Sequence, residues 1–244
     1  MRCPMYPISS YRMSLASHVR ACDCDGHVIL LDLRHNRYLG IGETTSKALA
    51  GQVEGWPTRA DHVSPLPGSE KISDAAQRLL SQGLLTSSPY ERYPNTTIEE
   101  AAATLELDRE SSHQAIGIRR FAQVLKSVAI AAWWMRSHSL HAIALAVTAR
   151  RVHIHGPRSD SLYQMRAGTS AYEKVQPFVF TAREKCLLDS LALVGFLATE
   201  GAFPRWVIGV RTCPFGAHSW VQSGHTVLND QHEYVRQFRP ILVV

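Results

Sequence analysis

No stretch of this sequence is apolar for long enough to cross a bilayer. The most apolar one, Ser127 to Met135, lies between Lys126 and Arg136, far short of the roughly 20 residues a spanning helix needs, so stable membrane insertion is not expected. The first twenty residues, MRCPMYPISSYRMSLASHVR, hold no apolar segment of the export-signal kind. The expected compartment is therefore cytoplasmic, where Cys3, Cys22, Cys24, Cys186 and Cys213 remain thiols. An odd number of cysteines at irregular spacing is no disulfide framework. The sequence has neither a G-x-G-x-x-G run nor a P-loop, which removes the usual signatures of nucleotide binding, and no cofactor is expected for this chain. Lysine is scarce beside arginine, and the net charge of +5 is too small to imply a nucleic-acid partner. The excess sits in the middle, where residues 101–180 carry 10 basic and 5 acidic side chains. Repeats and low-complexity blocks are also lacking.

What is present is ordinary globular composition. With 244 residues, 45% hydrophobic and 19% charged, the chain can bury one good core or two small ones. That excludes a disordered or fibrous protein. After a Pro-bearing arm, His27-Val-Ile-Leu-Leu-Asp-Leu33 and Arg37-Tyr-Leu-Gly-Ile-Gly42 flank the polar turn Arg34-His35-Asn36. The alternation predicts a β-hairpin, with a third strand around Tyr11–Cys22. Helical spacing follows over Thr44–Val53 and, past a Pro/Gly-broken stretch, over Ser73–Leu80 with Gly83 as a stop. Short strands followed by short helices suggest a winged-helix-like unit over residues 1–86, and residues 87–110 read as a linker. The second domain then occupies residues 111–244, giving an α+β chain. Its first part, Ser111 to Arg151, predicts two helices broken near Ser137–Ser139, with Trp133 and Trp134 in the core and the basic residues on the solvated face.

The residues that can carry chemistry lie further on. Thr181-Ala-Arg-Glu184 has the capping-box pattern and introduces an apolar helix that Gly201 stops. Cys186 thus lies near a helix start, where unpaired amides, the positive dipole end and the nearby Arg183 and Lys185 favour the thiolate. Trp206-Val-Ile-Gly-Val210 reads as a buried strand, and Ala217–Gln222 with Thr226–Asp230 as a hairpin. If residues 223–225 form its loop, His218 faces Asp230 across the ladder, with Cβ atoms about 4.5–5.5 Å apart. A carboxylate there orients the imidazole and leaves its other nitrogen to exchange a proton with a thiol.

Plainer readings stay open on spacing alone. Free cysteines are commonly small buried hydrophobes, and a lone histidine is more often a core or surface residue. Cys22-Asp-Cys24 with His18 and His27 invites a metal, but lacks the C-x₂-C or H-x₃₋₅-H spacing of zinc sites, and no metal is expected. His153 and His155 would share one face of a strand, without an identifiable carboxylate partner. Cys213, before Pro214, reads as incidental.

Taken together, Cys186-Leu-Leu-Asp-Ser-Leu-Ala-Leu, Val207-Ile-Gly-Val-Arg-Thr-Cys-Pro-Phe215, Ala217-His-Ser-Trp-Val221 and Val227-Leu-Asn-Asp230 closely resemble the lasso peptide B proteins. These are leader peptidases of the microcin J25-processing type with a transglutaminase-like or papain-like cysteine protease fold. The resemblance implies Cys186 as nucleophile, His218 as base and Asp230 as orienting carboxylate. More loosely, Gly26-His-Val-Ile-Leu-Leu-Asp-Leu-Arg-His-Asn-Arg-Tyr-Leu-Gly resembles the PqqD-like domains that recognise precursor-peptide leaders. Strand addition would then place the leader on Arg37, Tyr38, Leu39, Gly40 and Ile41, with Leu79 and Leu80 of the following helix as groove or core positions. The implied partners are a lasso precursor peptide and an ATP-dependent cyclase related to asparagine synthetases, so ATP would enter only through the coupled reaction. Two rivals remain at this level: a non-catalytic module that presents the leader, and a transamidase in which an amine intercepts the thioester.

Overall fold

The computed structural model describes residues 13–57, 72–87, 97–107, 116–153, 162–179 and 185–244. The chain divides into two compact units, residues 1–32 with 38–94 and residues 33–37 with 95–244. Helices and sheets occur together in an α+β arrangement.

The strands β1 (Met13–Leu15), β2 (Val19–Cys24), β3 (His27–Asp32) and β4 (Arg37–Ile41) come first. They are followed by α1 (Glu43–Ala50), β5 (Val53–Glu54), α2 (Asp74–Ser81) and β6 (Leu85–Thr86). They make two three-stranded sheets, ordered β5-β1-β6 and β2-β3-β4. The one strand expected around Tyr11–Cys22 is therefore two, because a turn closed by Val19 N–H on the Ala16 carbonyl, 2.8 Å, breaks it. Asp25 and Gly26 both take positive φ, 54° and 86°, so this two-residue loop turns β2 tightly into β3. Residues 28–32 of β3 are all buried, so the expected alternation is absent from it, because a central strand covered on both faces takes an apolar run. Ser73 caps α2 by accepting from the Ala76 N–H, and Gly83, at φ 70°, lets the chain leave it. Val19, Val28, Leu30, Leu49, Val53, Trp56 and Leu79 close the core of this unit.

In the other unit β7 (Ala103–Thr104) precedes four helices, α3 (Ile118–Ser137), α4 (Leu140–His153), α5 (Leu162–Val179) and α6 (Cys186–Thr199). Then come β8 (Arg205–Thr212), β9 (Phe215–Ser223), β10 (Thr226–Val227), α7 (His232–Val235) and β11 (Arg239–Val243). The sheet order is β11-β8-β9-β10-β7. Residues 97–107, expected as linker, instead supply its edge strand, because Ala103 and Thr104 pair in parallel with Thr226 and Val227. The break expected near Ser137–Ser139 is present: His138 adopts an extended conformation after α3, and Ser139 Oγ accepts from the Ala142 N–H to start α4. Trp133 is 59% exposed, contrary to its expected core position, because the buried stripe of α3 runs through Val124, Ser127, Val128 and Ala131. Trp134 is half-buried, with the Arg150 guanidinium 4.7 Å from its ring centre. α5 has no counterpart in the sequence expectation; Gly168, Thr169 and Pro177 interrupt its helical pattern.

α6 is the central element. It is buried from Asp189 through Val194 and again at Phe196 and Leu197, with α3 and α5 against it and β8 and β9 below. An all-round apolar helix is stable only when covered in this way. Gly168 lets α5 pack closely on it: a Cβ there would lie 2.6 Å from Leu197 Cδ2.

Candidate active site

Cys186 is the first residue of α6. Lys185 is its N-cap residue and no side chain caps the end; the Thr181–Glu184 pattern lies outside the described residues. A first-turn thiol meets unpaired amides and the positive end of the helix dipole. Burial pushes the Cys186 thiol up. The hydrogen bond and charge of His218, with the N–H groups of Ser219 and Leu187, outweigh that and hold it below the ordinary thiol value.

His218 stands on β9 opposite Gly209 of β8. Its Nε2 lies 2.6 Å from Asp230 Oδ2, which leaves Nδ1 for the thiol. Burial pushes the imidazole down, but the hydrogen bonds to Asp230 and Cys186 and the charges of both raise its pKa to about 9. Both shifts act toward the thiolate–imidazolium pair. Asp230 Oδ1 accepts from the Gln231 N–H at 2.7 Å, so both carboxylate oxygens are held.

The pair forms by a different route from the expected ladder. Ser223 pairs with Thr226 and Gln222 with Val227, a two-residue loop of Gly224 and His225 in place of three residues. Continued regularly, that register sets Gln231 opposite His218 and turns Asp230 to the other face, since side chains alternate. β10 stops at Val227 instead, and the chain turns away far enough to bring Asp230 to the ring.

Around His218 the packing is aromatic. Trp220 stacks at 6.2 Å between centroids, Tyr234 meets it edge-on at 5.1 Å and Phe238 lies at 5.3 Å. Gly209 makes room for this layer, because a Cβ there would lie 2.8 Å from the Trp220 ring and 2.9 Å from Phe238 Cβ. Behind the pair, Trp206 Nε1–H points at both Ser190 Oγ and Ser219 Oγ, 3.0 Å each, and the two hydroxyls are 2.7 Å apart. Ser219 Oγ also donates to the Val207 carbonyl at 2.9 Å. This web ties α6, one turn from Cys186, to β8 and β9 beside His218. Spacing alone gives no sign of it, because serines in apolar runs read as tolerated small residues.

Elsewhere, β4 is an edge strand of its sheet, which places Arg37, Tyr38, Leu39, Gly40 and Ile41 along an edge. Leu79 is in the core and Leu80 packs partly buried against it. The Cys22 and Cys24 sulfurs are buried 3.6 Å apart, while His18 is directed to Asp32 at 3.9 Å and His27 is exposed. Among the described residues no group of three possible metal ligands comes together. His153 ends helix α4 and so is not on a strand, because the helical spacing of α4 continues through it; His155 lies outside the described residues. Cys213 is exposed.

Residues 128–243 match the transglutaminase-like superfamily. The microcin J25-processing protein McjB of Escherichia coli is 46% identical over 48 residues. That segment is 20% of this chain and 23% of the relative's length. No solved structure matches the chain.

Proposed function

We propose that this chain is a cysteine endopeptidase that removes the leader from a ribosomally made lasso precursor peptide. The arrangement of Cys186, His218 and Asp230 at the start of α6 and on the β9–β10 side of the sheet carries this reading. The transglutaminase-like match and the local likeness to a microcin-processing protein support it. In this scheme the Cys186 thiolate attacks the carbonyl carbon of the last leader residue. The C–N bond breaks as the His218 imidazolium gives its proton to the departing amine, and the leader stays as a thioester. Water then gives a proton to His218 and attacks the thioester, releasing the leader carboxylate and restoring the thiolate. Asp230 holds the ring in the orientation both transfers need. The Cys186 N–H, unpaired by its helix, is suited to the oxyanion.

On the same reading the first unit is a PqqD-like domain that holds the leader on the β4 edge, Tyr38 to Ile41 with Arg37 at its start, Leu80 of α2 being a further candidate contact. Tethering raises the effective concentration of the scissile bond, so weak contacts at the cleavage point suffice. The freed core amine would pass to an ATP-dependent, asparagine-synthetase-like cyclase.

The test is mass spectrometry of the cognate precursor after incubation with wild-type and Cys186→Ala protein, with and without cyclase and ATP. Wild-type-only release of leader acid and core is expected. Cleavage that survives Cys186→Ala, or none under any condition, would instead make the chain a leader-presenting module. The transglutaminase-like match also fits interception of the thioester by an amine, in which case the leader product would carry that amine in place of a free carboxylate.

A further inference from the structure

The buried carboxylate of Asp189 has no part in the chemistry above, yet it lies one turn beyond Cys186 on α6 and is 9% exposed. Its Oδ1 accepts from Tyr172 Oη at 3.0 Å and from Gln176 Nε2 at 3.2 Å, both on α5. Its Oδ2 accepts from Asn229 Nδ2 at 3.2 Å. Asn229 is held at its other end too, since its Oδ1 accepts from the Val221 N–H at 2.8 Å, three residues along β9 from His218. That contact also fixes which way the amide points: an oxygen toward Val221 leaves only the NH₂ for Asp189.

The position of Asn229 is where the ladder ends. Leu228 N–H still donates to the Val221 carbonyl at 2.8 Å. The next ladder partner, which should be backbone, is the Asn229 side chain. This replacement satisfies β9 while freeing the following backbone to leave the sheet, which is what brings Asp230 and not Gln231 to His218. One side chain thus touches the strand of the base, the helix of the nucleophile and the turn of the orienting carboxylate.

We infer that Asn229 and Asp189 are positioning residues that set the spacing of Cys186, His218 and Asp230, an assignment that rests on the peptidase reading of those three. A carboxylate is required at Asp189 because three donors converge on it; an amide offers one oxygen and would turn its NH₂ toward a donor. Other charges facing it are Glu173 on α5 and Asp230, so the three hydrogen bonds also keep a third acid buried near two others. The effect on rate follows from geometry: a misplacement of about 1 Å in a reacting pair can cost about a hundredfold.

The experiment uses the full chain with Asp189→Asn and Asn229→Asp. Both preserve side-chain size, and the second keeps the acceptor for Val221 while replacing the donor to Asp189 by an oxygen. Two readouts are taken: the pH dependence of iodoacetamide alkylation mapped to the Cys186 peptide, and kcat and KM for precursor cleavage. Each variant is expected to slow Cys186 alkylation at neutral pH about tenfold and to move its inflexion up toward the free-thiol value. The expected fall in kcat is about tenfold to hundredfold with KM within about twofold. The proposal fails if both variants keep the wild-type alkylation profile, or if either loses cooperative thermal unfolding, which would make the pair a packing feature. If the alkylation shift appears but wild-type protein cleaves no precursor, the positioning role stands and the peptidase reading falls.

Discussion

At the residue scale, the site is governed by what His218 does to Cys186 and what Cys186 and Asp230 do to His218. An isolated thiol and imidazole would share the proton in favour of the thiol, whereas here His218 is raised to about 9 and Cys186 is lowered. The sign of the pH dependence follows. Cleavage by the proposed mechanism requires both thiolate and imidazolium, so kcat/KM should rise as the thiol ionises and fall as pH passes through about 9, where His218 loses its proton. Asp230→Asn removes the charge that helps raise His218 and leaves one amide oxygen where two carboxylate oxygens accept. Its alkaline limb should move to lower pH, and kcat should drop by about a hundredfold or more. A pH profile of precursor cleavage with both proteins checks this; an unmoved limb would separate Asp230 from the titration. Cys186→Ser, which exchanges sulfur for a hydroxyl of far higher pKa, should be inactive under the same assay.

At the element scale, the requirement is that α6 and β9 keep their separation to within fractions of an ångström. Trp206, fully buried, does so by aiming one N–H at two serine hydroxyls, one on each element. Trp206→Phe retains the aromatic packing and strips the donor, which should cost about 1–3 kcal/mol in urea denaturation and lower kcat more than it raises KM. Gly209→Val should be worse, because its Cβ would strike the Trp220 ring and Phe238 at under 3 Å and disturb the aromatic layer on His218. At the other unit the element of interest is β4. Ile41→Pro removes a backbone donor from β4 and should raise the Kd of a fluorescent leader peptide, read by anisotropy; unchanged binding would move the docking site elsewhere.

At the scale of the whole molecule, the proposed function gives recognition and cleavage to different units, so their losses should combine independently. Ile41→Pro is expected to act on KM and Asp230→Asn on kcat, and the double variant should show the sum of the two free-energy losses within about 0.5 kcal/mol. Excess leader peptide added in trans should inhibit cleavage of the precursor by competing for the first unit, and should do so less in the Ile41→Pro protein. Both are read from steady-state cleavage rates.

Local chemistry written along the chain determined much of this. The strand character of β3, the glycine stop of α2 and the break between α3 and α4 are legible in the residues, because each depends on neighbours within a few positions or on strand and helical spacing, whereas Cys186, His218 and Asp230 were singled out by an assumed ladder register and by the family resemblance. Other features depend on contacts made across distant segments. Ala103 and Thr104 become a sheet edge only because β10 offers one; Trp133 is exposed because the stripe that packs on α6 passes it by. Asp230 reaches His218 through the departure of the chain at Asn229 and not through a ladder register. The sequence and the resemblance it carries pointed to Cys186, His218 and Asp230 as candidates, and the tertiary structure decided their spacing, because that spacing is held by Asp189, Asn229, Ser190, Ser219 and Trp206, which meet only once helix and sheet are packed.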